Sequence, residues 1–168
     1  FKGDIVQLVD GVVEVGTATS TKNLGIFNGC FISKDPSTGK PKWSNFYSQT
    51  NVATGETIEA YVYDDPNQLF EVQMGGTATL AAAALGNNID SVAGSGSTIN
   101  GQSTSTLATA ITGSGATAQF RVIRASQDPE NSDTGSSHCN YIVNTTDTKI
   151  STQRFLIQRT LIVHLKKK

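Results

Sequence analysis

A chain of 168 residues is long enough to bury a core of its own and too short for two full domains. Its 13 Lys and Arg stand against 14 Asp and Glu, and this net charge of −1 argues against a generally basic nucleic-acid binder. Only 16% of residues are charged, so most of the surface must be neutral Ser, Thr, Asn and Gln.

In chain order, Asp4 to Val9 leads into Asp10-Gly11 and then Val12 to Val15. Asp-Gly between two β-branched runs predicts a hairpin, because Gly accepts the positive φ of a type I′ turn. Leu24 to Ile32 reads as a further strand, in which Gly25 and Gly29 mark bulges or close backbone approaches. Asp35 to Pro41 is a turn cluster, and the polar loop beyond it holds Trp43, Phe46 and Tyr47. Ile58 to Tyr63 is a strand stopped by Asp64-Asp65-Pro66, and Leu69 to Met74 is expected to pair with it. In that second run Phe70, Val72 and Met74 share one face, which predicts one buried face and one wet face.

The stretch from Gly75 to Gly115 is the most informative part of the chain. Of its 41 residues, 32 are Gly, Ala, Ser, Thr or Asn, and Asp90 is its single charge. Leu80, Leu85, Ile89, Val92, Ile99, Leu107 and Ile111 recur through it, a pattern that suits ordered, extended packing better than a free linker. Between Thr77 and Leu85 four consecutive alanines predict one short helix, with Gly86 placed to cap it. Strands return at Gln119 to Arg124 and at Tyr141 to Val143. Short strands between turn clusters predict an all-β fold, an antiparallel barrel or sandwich with long loops and at most one short helix.

The last 20 residues differ from the rest. They hold six of the 13 cationic residues and no acid. Phe155 to Val163 is also the most apolar run in the chain, and as a strand it would be an exposed hydrophobic edge unless covered. Residues 1–148 are therefore expected to form the β domain and 149–168 a basic, apolar arm. The arm is expected to dock on a partner or a neighbouring copy through Arg154, Phe155, Leu156, Ile157, Arg159, Leu161 and Val163.

Catalytic signatures are weak throughout. Cys30 and Cys139 lie far apart with no CxxC pair, which favours two buried thiols over a disulfide. His138 and Cys139 are adjacent, and neighbouring strand residues point to opposite faces, so they would not chelate one ion. Asp64-Asp65 lacks the ligand spacing of an EF-hand and reads as a turn before Pro66. Gly94 to Ser97 and Gly113 to Gly115 lack the Lys-Ser/Thr pair of a phosphate loop, and no G-x-S-x-G is present. Asn144-Thr145-Thr146 fits a glycosylation sequon, relevant only to a chain secreted by a eukaryote. No run of 18 apolar residues occurs, and the first residues lack the pattern of a signal peptide. No metal or cofactor is expected. Trp43, Phe46 and Tyr47 could stack on a sugar or plug the end of a barrel.

The order of these segments resembles a family of small capsid proteins of tailed bacteriophages, the head decoration or cement proteins. The resembling pieces are Phe1 to Val6, Gly25 to Cys30, Lys40 to Ser44, Ala60 to Pro66, Phe70 to Gln73, and Phe120 to Ile123 leading to Asp128 to Asn131. Together they span residues 1 to 143. The resemblance implies a β-barrel that binds the outer face of an assembled icosahedral shell and reinforces contacts between major capsid protein subunits. The family has no residue set for chemistry to carry over, and neither nucleic acid nor a membrane is expected as a partner, from the charge balance and the lack of a long apolar run. Its partners would be the major capsid protein and neighbouring copies in a homo-oligomer such as a trimer, on a virion made in a bacterial cytoplasm. The arm after Lys149 departs from the family pattern. A carbohydrate-binding or adhesin-like β module is the alternative from another class.

Overall fold

A computed structural model describes residues 1–17, 23–76, 84–111, 118–130, 134–135, 137–146 and 163–164. The strands are β1 (Ile5–Val9), β2 (Val12–Val15), β3 (Asn23–Ile32), β4 (Lys42–Ser44), β5 (Ile58–Tyr63) and β6 (Leu69–Gln73). They continue with β7 (Asn88–Ile89), β8 (Ser91–Val92), β9 (Thr106–Leu107), β10 (Phe120–Ala125), β11 (Asn140–Thr145) and β12 (Val163–His164). The fold is all-β, and one 3₁₀ turn at Gln49–Asn51 is the named helical element among the described residues.

A six-stranded sheet runs β12-β5-β3-β1-β2, with β4 also on β3, and a four-stranded sheet runs β6-β11-β10-β7. Strands β8 and β9 form a separate pair. β3 is long enough to hold β1 and β4 in succession, at Ile26 to Asn23 and at Cys30 to Ile32, while β5 pairs with it from Ile26 to Ile32. The architecture is an open, antiparallel sandwich. The barrel that the family resemblance implied does not form, because the strands divide between sheets instead of closing one upon itself.

Local turn chemistry explains the first hairpin. Asp10 and Gly11 have φ of 50° and 80°, both positive as a type I′ turn requires, and Val9 pairs with Val12 across it. Gly25 and Gly29 both stand at register shifts of β3, as the sequence suggested. The expected pairing of the two central strands fails. β5 belongs to the six-stranded sheet, while β6 pairs with β11 in the other, so the Asp64-Asp65-Pro66 turn carries the chain between sheets. The alternation in β6 survives this change of partner: Met74 is fully buried, Phe70 and Val72 half so, and Glu71 and Gln73 are exposed.

Each face of the six-stranded sheet carries a core. Ile5 and Ile26 face the four-stranded sheet and meet Ile89, Phe120, Val122, Tyr141 and Val143. Their neighbours Val6 and Phe27 point the other way, into a second core with Cys30, Ile32, Ile58, Ala60 and Val62, covered by Val52 and Tyr47. In the described part of the Gly75 to Gly115 stretch the aliphatics divide, Leu85, Val92 and Ile99 being exposed and Ile111 half-buried. Ile89 and Leu107 are both 0% exposed, and each such side chain contributes about 1.5–3 kcal/mol. The predicted helix falls largely on residues 77–83, outside the described residues. Gly86 beyond it has φ 82° and donates its N–H to the Val122 carbonyl at 2.8 Å.

Candidate interaction surface

Strand alternation in β4 turns Ser44 inward and Trp43 outward, where the indole stays 47% exposed. Trp43 lies opposite Phe31, Phe31 opposite Glu59, and Gly29 opposite Tyr61, so these residues share one face of the six-stranded sheet. The Trp43 and Tyr61 rings meet edge to face, with centroids 4.9 Å apart at 62°. Trp43 Nε1 donates to Asn45 Oδ1 at 3.2 Å, which fixes the ring from its polar side. The indole is thus held rigidly with half its surface outward, the condition under which an aromatic side chain binds with little loss of freedom.

The three aromatics expected to act together do not. Phe46 stacks on Phe1, centroids 5.6 Å apart, and Tyr47 packs against the second core. Of the three, Trp43 has the exposed ring, on the face of the six-stranded sheet that also carries Ile26. The partner missed from sequence is Tyr61. Its signal was present in β5, where Ile58, Ala60 and Val62 alternate with Glu59, Tyr61 and Tyr63. Tyr63 continues that row toward the four-stranded sheet and touches its Phe70, with centroids 6.4 Å apart.

The ionisable groups are used for folding. Asp35 accepts from Lys42 Nζ, from Ser37 Oγ at 2.5 Å, and from the N–H groups of Ser37 and Thr38 at 2.7 and 3.2 Å. Lys42 first, then these donors, hold its carboxyl well below the usual range. Asp4 accepts from Ser103 and Ser105 hydroxyls at 2.5 and 2.9 Å and so ties the charge-poor stretch to the first strand. Gln119, 0% exposed, accepts from Ser91 N at 3.0 Å and donates to the Thr17 carbonyl at 2.6 Å. Asp65 takes the Asn67 N–H at 2.8 Å, the turn role expected of it.

Both cysteines are free and buried, one in each core. Burial pushes the Cys30 thiol from 9.0 up to about 11, so it is a poor nucleophile at neutral pH. His138 is exposed in a left-handed conformation, φ 63°, beside buried Cys139. No group of three His, Cys, Asp or Glu able to hold a metal occurs among the described residues. The sequon lies in paired β11 at its Asn144, and its Thr146 hydroxyl donates to the Ala118 carbonyl. A cavity of about 110 Å³ between the sheets, lined by Ile5, Ile26, Phe70, Phe120, Ser91 and Ser105, is well below the size of ordinary ligand pockets. No helix among the described residues is long and apolar enough to cross a membrane.

Of the residues expected to form the docking arm, Val163 is described: it pairs with Ala60 as β12 extends the β5 edge. Arg154, Phe155, Leu156, Ile157, Arg159 and Leu161 lie outside the described residues. No family model matches the chain, and no curated protein or solved structure is significantly similar to it.

Proposed function

We propose that this chain is a non-enzymatic structural protein of a tailed-phage virion. It binds the outer capsid surface and strengthens contacts between major capsid protein subunits. The observation that carries this reading is the fixed, half-exposed Trp43 beside Tyr61, on the six-stranded sheet. Rigid aromatic anchors of this kind dominate binding to protein surfaces. The segment order that resembles head decoration proteins supports the choice of partner. Many copies bound across subunit joints, singly or as a homo-oligomer, raise shell stability by mass action. The role needs neither cofactor nor nucleic acid.

The test adds purified protein to expanded shells assembled from the major capsid protein of its own virion, with occupancy read by cosedimentation and imaging. The expected result is saturable binding in register with the lattice, weakened at least tenfold by Trp43→Ala. Failure of the intact protein to bind such shells overturns the reading.

A second reading rests on the same residue. The Trp43 indole lies over Gly29 and against Tyr61 yet stays half exposed, an arrangement that also suits stacking on a sugar ring. Glycan-array binding abolished by Trp43→Ala, together with no binding to shells, would establish a carbohydrate-binding module instead.

A further inference from the structure

Ile99 is 98% exposed, at the tip of the turn from Ser97 to Gly101. The turn has no freedom to fold that side chain away. Gly101 N donates to Ser97 O at 2.8 Å, Ser97 N to Gln102 O at 2.8 Å, and Ile99 N to Ser97 Oγ at 3.3 Å. Asn45 Nδ2 donates to the Asn100 carbonyl at 3.2 Å, so the turn is fastened to the residue that also accepts from Trp43 Nε1. Gly101, at φ +73°, lets the backbone lie directly on Asn45: a β-carbon there would fall 2.5 Å from Asn45 Cβ. Ile99 and Trp43 are therefore two apolar projections of one rigid frame.

We propose that this turn is a preformed docking knob, with Ile99 entering an apolar pocket rimmed by carboxylates on a protein partner. The proposal rests on the reading that the chain coats a shell, and it names the chemistry of the shell surface it would meet. Charge argues for the rim. Lys2, whose N–H donates to both Asn45 O and Gly101 O, is exposed. The neighbouring carboxylates Asp4 and Asp35 are buried and occupied, which leaves Glu59 beyond Phe31 as the acid on the Trp43 face. The knob thus presents an apolar tip with the Lys2 cation on the adjoining segment, complementary to a socket with an acidic edge. A protein pocket fits better than a bilayer, because one aliphatic side chain partitions less strongly than even a single acyl chain, itself a marginal anchor. A rigid knob in a matching pocket loses little freedom on binding.

The experiment measures binding of the full chain, Ile99→Ser and Lys2→Ala to the same shells at about 20 and about 300 mM salt. A parallel arm uses vesicles of phosphatidylcholine and phosphatidylserine. Ile99 touches no core, so its variant folds normally, as circular dichroism would verify. The expected result is at least tenfold weaker shell binding for Ile99→Ser at both salts. Lys2→Ala should weaken binding at low salt only, since exposed ionic contacts are screened. Shell binding by Ile99→Ser equal to that of the intact chain overturns the knob and leaves the capsid reading standing. Binding of the intact chain to vesicles but not shells, lost in Ile99→Ser, makes the turn a membrane contact and overturns both. Binding to neither also overturns both.

Discussion

Trp43 rests on Gly29 across the β3–β4 pair. A β-carbon at Gly29 would lie 2.5 Å from Trp43 Cζ2 and 2.9 Å from the Ser44 carbonyl oxygen, and the backbone there has φ +139°. The outward aromatic surface therefore depends on a missing side chain beneath it. Gly29→Ala must both displace the indole and strain the backbone, and we expect a loss of about 2–4 kcal/mol. Denaturant melting followed by tryptophan fluorescence checks this. An unchanged midpoint and spectrum would mean that the indole is not seated on Gly29.

Cys30 should make the fold sensitive to alkali. Its folded thiol titrates at about 11 against an ordinary 9.0, so between these values the folded chain holds a proton that the unfolded chain has lost. Stability from this group is complete below pH 9.0 and falls as pH rises through about 11. Melting across that range should show the decline, and Cys30→Ser should flatten it. In the native state neither thiol should react with a soluble disulfide reagent at neutral pH. Fast labelling of the folded chain would contradict the burial of both cysteines.

Asp35 should act in the opposite direction. Lys42 and the Ser37 and Thr38 donors depress its folded pKa, so its contribution is present above the ordinary 3.8 and is lost as pH falls below it. Asp35→Asn should reduce proton uptake on acid unfolding. Asp35→Ala should open the turn that follows, seen as faster tryptic cleavage at Lys34 or Lys42. Equal cleavage rates in the variant and the intact protein would show that the carboxylate does not hold the turn.

Deleting Lys149 to Lys168 removes six cations, and with them the two residues that extend the β5 edge. We expect lower shell occupancy at low and at high salt, because apolar contacts persist where ionic ones are screened. The bare β5 edge should also raise self-association, measurable by sedimentation. Full decoration by the truncated chain under both conditions would make the arm a peripheral extension.

By itself the sequence determined what depends on neighbours along the chain. Asp10-Gly11 specified its hairpin because two consecutive positive φ angles tolerate few residues, and the alternation at Phe70, Val72 and Met74 specified a strand with one buried face. The spaced aliphatics between Gly75 and Gly115 suggested packing along the stretch, and among the described residues Ile89 and Leu107 are buried while Leu85, Val92 and Ile99 are exposed. Only the tertiary structure decided which strands pair. The short turn at Asp64 to Pro66 suggested a hairpin, yet β5 and β6 enter different sheets: Ile58, Ala60 and Val62 feed one core, and Phe70 and Val72 pack against the other. Tertiary structure also separated Trp43 from Phe46 and Tyr47 and gave it Tyr61 instead. That partnership depends on the shift of register at Gly29, where one extra residue in β3 resets which side chains share a face.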